Sequence, residues 1–95
     1  MERRIRLKTG TLGMSWAIVK NFQLSAVPPI GTLIRTEKTG YIQVESIYLD
    51  LDTDTWTVYV EEHNIAEVRG FYEEGGWEII DDLDGEGKRE LARGI

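Results

Sequence analysis

Residues 41–62 read YIQVESIYLDLDTDTWTVYVEE, and their apolar side chains change phase once. Ile42 and Val44 share one face of a strand, while Ile47, Leu49 and Leu51 have the opposite parity. Successive side chains of a strand alternate faces, so a strict period of two cannot hold both sets on one side. One extra residue near Glu45-Ser46 restores the phase and predicts a β-bulge there, in a sheet that curls. Farther on, Trp56, Val58 and Val60 share a face, with Thr55, Thr57, Tyr59 and Glu61 on the other. Two such runs around a cluster of short polar residues read as a β-hairpin.

Two registers bring the apolar residues together. One pairs Leu51 with Trp56, Leu49 with Val58 and Ile47 with Val60 around a four-residue loop, residues 52–55. The other has a two-residue loop, Asp52-Thr53, which asks for positive φ where a β-branched Thr resists it. The longer loop is therefore expected. It sets Tyr48 opposite Tyr59 and Asp50 opposite Thr57 on the outer face.

The rest of the chain supplies elements around this hairpin. In MERRIRLK, Ile5 and Leu7 alternate with Arg4, Arg6 and Lys8, which predicts a strand at a sheet edge, where basic residues discourage unwanted pairing. Residues 9–15 carry two glycines and read as a loop. In residues 16–24, Trp16, Ile18, Phe22 and Leu24 share a face with Lys20; this is a strand, with a short helix as the alternative. Pro28-Pro29 stops regular structure, residues 32–36 form the next strand, and residues 37–40 turn into the hairpin. Asn64 is a good N-cap, with Glu67 three residues on. Ile65, Val68, Phe71 and Tyr72 lie along one helical stripe, and Gly75 is placed to end the helix in a left-handed conformation. Gly70 inside it costs about 1 kcal/mol relative to Ala, so a strand near residues 69–72 is the alternative. Residues 76–80 read as a last strand. The expected fold is α+β: a mainly antiparallel curled sheet, or a small SH3-like barrel, of five to six strands with one helix after the central hairpin. Residues 1–80 form the domain, and residues 81–95 a polar C-terminal tail with no apolar stripe to bury.

Composition bounds the chemistry. Ninety-five residues make one domain. There is no cysteine, hence no disulfide framework and no thiolate nucleophile. Neither a membrane-spanning run nor a signal-peptide pattern is present, and a cytoplasmic location is expected. The net charge is −6, unevenly spread: residues 1–40 hold seven Lys/Arg against two Asp/Glu, and residues 41–95 four against fifteen. Either two charged surfaces result, or opposite charges meet in the fold and cancel.

No catalytic plan emerges. Ser15, Ser25 or Ser46 would need a base, and His63 is the one histidine. The triplets Lys8-Thr9-Gly10 and Lys38-Thr39-Gly40 lack the Ser-x-x-Lys partner that gives such triplets a catalytic meaning, and read as turns. No nucleotide-binding P-loop is present. Asp50-x-Asp52-x-Asp54 lacks the glycine that a calcium loop needs at its sixth position, and Asp82-x-Asp84-Gly85-Glu86 is a poorer match; turn chemistry accounts for both. No enzymatic activity, cofactor or metal is expected.

What remains is surface. With Ile47, Leu49, Trp56, Val58 and Val60 turned inward, Tyr48 and Tyr59 face out beside Asp50 and Glu61. Tyrosine is favoured at protein interfaces, although a cross-strand aromatic pair also stabilises a sheet by about 0.2–1 kcal/mol. The expectation is a non-catalytic interaction module that binds a protein partner, a second copy included, through Tyr48, Tyr59, Asp50 and Glu61. Two alternatives come from other classes. An acidic mimic of nucleic acid would occupy a nucleic-acid-binding enzyme, and needs carboxylates along one exposed face. A single-strand nucleic-acid binder needs the N-terminal arginines and two aromatics on one face. The acidic second half repels phosphate, so nucleic acid is not the expected partner.

Overall fold

A computed structural model of the chain describes residues 3–37 and 39–92. Its elements are β1 (Arg3–Thr11), β2 (Ala17–Leu24), β3 (Leu33–Thr36), β4 (Gly40–Asp50), β5 (Thr55–His63), α1 (Ile65–Gly75), β6 (Glu78–Ile80) and α2 (Glu86–Ala92). The strands form one six-stranded sheet in the order β3-β4-β5-β1-β2-β6. Two antiparallel hairpins, β1–β2 and β4–β5, are joined through a parallel β1–β5 pair. The sheet is therefore mixed. It is also open: β3 and β6 are short edges at opposite ends and do not pair with each other, so no barrel closes.

Alternation decides which face is covered. Ile5, Leu7, Ile18, Ile42, Val44, Val58 and Val60 lie on one side and form the core with Val68 and Phe71 of α1, Leu91 of α2, Trp16 and Trp77. Both helices pack on this side. Lys20 stands among these apolar residues because its ammonium donates to the Gly75 carbonyl, a cation placed at the negative end of α1.

The bulge lies where the phase change requires it. Val44 pairs with Val60 and Ser46 with Tyr59, leaving Glu45 as the extra residue. The hairpin register is the other of the two considered. Leu49 is opposite Trp56, Ile47 opposite Val58, Tyr48 opposite Thr57 and Asp50 opposite Thr55. The steric objection to Thr53 is evaded, because residues 51–54 all turn and the left-handed position falls on Asp54, φ 53°. Asp tolerates that region better than a β-branched residue. The Asp50 carboxylate accepts from the Asp52 and Thr53 amides, at 3.0 and 3.4 Å, and so braces the turn. Leu51, expected inside, is 83% exposed in the loop.

Three further expectations need correction. β1 is an interior strand, because Ile5, Leu7, Thr9 and Thr11 all contribute buried positions on its covered side. It also runs on through Lys8-Thr9-Gly10 to Thr11, so that triplet is strand and not turn. Of the second triplet, Thr39 belongs to the turn before β4 and Gly40 opens β4 itself, while Lys38 lies outside the described residues. Residues 81–95 are not simply a polar tail: residues 86–92 form α2, and Leu91 is 3% exposed. The last three residues of that segment lie outside the described residues.

α1 begins at Asn64 with a complete capping box. The Asn64 side chain accepts from the Glu67 amide at 2.9 Å, and the Glu67 carboxylate accepts from the Asn64 amide at 3.4 Å. The left-handed cap is Gly76, φ 74°, one residue beyond the expected Gly75.

Candidate interaction surface

With both helices on one side, the opposite face of the sheet has no helix over it among the described residues. β1 runs through its middle and contributes Arg4, Arg6 and Lys8. The registers set each cation in a cross-strand row. Arg6 lies between Asn21 of β2 and Thr57 of β5, with Tyr48 of β4 beyond Thr57. Lys8 lies between Val19 and Tyr59, with Ser46 beyond. Arg4 pairs with Gln23. Ala17, Val19 and Thr57 form a buried floor, while Tyr48 is 48% exposed. Tyr41, which the bulge brings to the same face of β4 and which lies opposite Arg35 of β3, is 67% exposed.

The cations are differently held. Arg6 Nε donates to Asn21 Oδ1 at 3.3 Å. Lys8 Nζ donates to Asp81 Oδ2 at 3.2 Å and lies 6.0 Å from the Tyr59 ring centroid. That ion pair joins the basic first part of the chain to its acidic end. A cleft of about 380 Å³ is lined by Arg4, Arg6, Asn21, Gln23 and Thr55 together with Ile5 and Phe22 of the covered side, so it lies at the end of the β1–β2 pair. A smaller one of about 100 Å³, lined by Asp50, Thr53, Thr55 and Thr57, adjoins it across Arg6.

Tyr48, Tyr59 and Asp50 thus share this face, but the two tyrosines are offset by one register step and are not directly opposite. Glu61 is displaced by a second irregularity. Thr9 pairs with Val60 and Thr11 with His63, and the Glu61 carboxylate lies 3.9 Å from His63 Nε2. Glu62 takes the place on the open face. Its Oε2 lies 3.1 Å, and the Tyr59 hydroxyl 2.7 Å, from where a Cβ on residue 10 would stand, so Gly10 lets both close over β1. Sequence reasoning missed Arg4, Arg6, Lys8, Tyr41 and Glu62 as members of this surface. The shared parity of the three cations was visible; the interior position of β1 was not.

His63 is buried at the junction of β5 and α1, where its ring meets Phe71 edge-on at 5.0 Å. Thr9 Oγ1 donates to the Glu61 carbonyl at 2.7 Å and stands 2.9 Å from His63 Nδ1. Thr9, His63 and Glu61 imitate a nucleophile, base and acid in spacing, but the Thr9 hydroxyl is fully buried and its one proton is engaged. Asp82 accepts from the Gly87 and Lys88 amides and Asp84 from the Glu86 amide, so both carboxylates serve the start of α2. Among the described residues no three His, Asp or Glu side chains converge as metal ligands would, and no helix is long and apolar enough to cross a membrane.

No family model, characterised protein or solved structure matches the chain.

Proposed function

We propose that the chain is a non-catalytic interaction module that binds another protein chain through the helix-free face of its sheet. The observation that carries this reading is the composition of that face: Arg4, Arg6 and Lys8 on one interior strand, with Tyr59 on the adjacent β5, Tyr48 one strand farther on β4, and a buried floor beneath. Tyrosine and arginine supply large contact area and directed hydrogen bonds, and both are enriched among residues that dominate binding energy. The face is preformed, so little ordering opposes association. A partner segment bearing carboxylates suits the arginine-lined clefts.

A second reading is favoured by one specific feature. Three cations and two aromatics on one sheet face meet the requirement of a single-strand nucleic-acid platform. The acidic-mimic reading gains no such support: exposed carboxylates are dispersed among the turn before β4 (Glu37), β4 (Glu45, Asp50), the hairpin tip (Asp52, Asp54), β5 (Glu62), α1 (Glu67, Glu73, Glu74), β6 (Glu78) and the segment before α2 (Asp81, Asp84).

The test is charge reversal. Arg4→Glu with Arg6→Glu should leave the melting transition in place and abolish recovery of a protein partner that cross-linking identifies with the wild-type chain. Undiminished recovery by the folded double variant would place the contact elsewhere and sink the assignment.

A further inference from the structure

β3 protects only part of β4. Its ladder covers Gly40 to Gln43, and the preceding loop extends it by one residue: Val44 donates to the Thr32 carbonyl and accepts from the Gly31 amide. From Glu45 to Asp50 the outer edge of β4 has no strand beside it among the described residues. The backbone groups there can be assigned. Val44 turns its N–H and C=O away from β5. Across the bulge, the alternation of an antiparallel ladder turns those of Ile47 and Leu49 the same way. The opposite side of β5 agrees, since His63, two bulge residues beyond Val60, gives its carbonyl to the Leu12 amide beside β1. Two donors and two acceptors therefore stand in a row on an open edge.

Natural sheets blunt such edges with charged side chains, Pro, bulges or very short strands. The bulge at Glu45 marks where the open edge begins, and beyond it the stretch Ser46-Ile47-Tyr48-Leu49 carries neither charge nor Pro until Asp50. It offers Ile47 and Leu49 on one face and Tyr48 on the other, with Leu49 38% exposed.

We infer that this edge is completed by the same edge of a second copy of the chain, joining the two sheets into one across a two-fold axis at Tyr48. The occupant follows from self-complementarity. An antiparallel pairing centred on Tyr48 puts Ile47 of each copy opposite Leu49 of the other, so all four outward groups of each edge find partners. It sets the two Tyr48 side chains side by side at a non-hydrogen-bonded position, where side chains approach most closely. It places Ser46 opposite Asp50 and Glu45 opposite Leu51, so no like charges face each other. Centring on Ile47 or Leu49 leaves outward groups of the other residue without partners. An isologous contact of this kind closes at two copies, and the helix-free faces become continuous through the pair. The inference rests on the reading of the chain as an interaction module, but uses the edge and not the arginine face.

The chain lacks cysteine, so Tyr48→Cys introduces its one thiol. Mild oxidation should convert that variant to a disulfide-linked dimer, while Tyr41→Cys, on the part of β4 that β3 covers, should remain largely monomeric. Sedimentation of the wild-type chain should show a concentration-dependent dimer, and Leu49→Lys a folded monomer. Equal cross-linking at both cysteines, or a wild-type chain that stays monomeric at all concentrations, overturns the inference. A monomer whose partner binding is still abolished by Arg4→Glu with Arg6→Glu would sink the edge alone. A dimer that cross-links at residue 48, with partner recovery indifferent to those arginines, would sink the face alone.

Discussion

Gly87 lies against the indole of Trp16: a Cβ at position 87 would stand 2.8 Å from Cδ2 and 3.0 Å from Cγ. Trp16 is the largest fully buried side chain of the protein and has nowhere to retreat. Gly87→Ala therefore sets two effects against each other. Helix propensity favours Ala by about 1 kcal/mol, while overpacking a closed site costs about 1–3 kcal/mol. A net loss is expected. Gly70 is the control, because nothing lies within 4 Å of its missing Cβ, and there Ala should stabilise by about 0.5–1 kcal/mol. Urea melts of the two variants should move in opposite directions. Stabilisation of both would mean that α2 does not dock on Trp16.

Leu91 makes the same point by removal. It is buried at the end of α2, and Arg69 of α1 donates to the neighbouring Glu90 carbonyl at 2.9 Å. Leu91→Ala should cost about 2–4 kcal/mol, the usual range for truncating a buried leucine, read as a lower urea midpoint. An unchanged midpoint would restore the picture of a polar tail.

These sites show what was legible in the sequence and what was not. The bulge at Glu45 could be read because it breaks a parity that the sequence displays. The α1 N-cap could be read because Asn64 and Glu67 act within one turn. The hairpin register could not, since both candidates matched apolar faces and the choice fell to Asp54 alone. The interior place of β1 was hidden for a different reason: its parallel pairing with β5 leaves no local signal, and three cations on one parity look like a guarded edge. α2 was invisible because it is held by a single leucine and by a glycine flat on a distant tryptophan. For the interaction surface, the parities of Tyr48, Tyr59 and Asp50 were sound, but which strand lies between which is a matter of topology.

The caps of α1 give a paired prediction. Asn64→Ala removes the acceptor for the Glu67 amide and should cost about 1 kcal/mol. Gly76→Ala forces a side chain into a φ of 74° and should also cost about 1 kcal/mol. Both are measurable by thermal melts followed through helix circular dichroism. If Gly76→Ala were neutral, the helix would end by some other device.

Thr9→Val tests the buried contact beneath the α1 junction. Since the hydroxyl donates to the Glu61 carbonyl, His63 must present Nδ1–H to it. Valine leaves that N–H and the carbonyl without their partner in a dry site, at an expected cost of about 1–3 kcal/mol. Nitrogen NMR of the wild-type imidazole should report a proton on Nδ1. A spectrum with the neutral ring protonated only on Nε2 would reverse the donor assignment.

The last prediction separates the two readings of the open face. A single strand bound there would release about 0.7 counterion per phosphate neutralised, so Arg4 and Arg6 would give a slope of roughly −1.4 in log K against log salt. Lys8 adds less, because Asp81 already holds its ammonium. Against this stand a net charge of −6 and the carboxylates of Asp50 and Glu62 on the same face, which repel a polyanion. Protein binding through the face carries no such demand, since a partner can bring carboxylates singly to the arginines. Labelled oligothymidine should therefore show no binding at about 0.15 M salt, where screening already acts within about 8 Å. Binding with a slope near −1.4 that vanishes in the Arg4→Ala, Arg6→Ala variant would instead establish the nucleic-acid platform and displace the protein-partner reading.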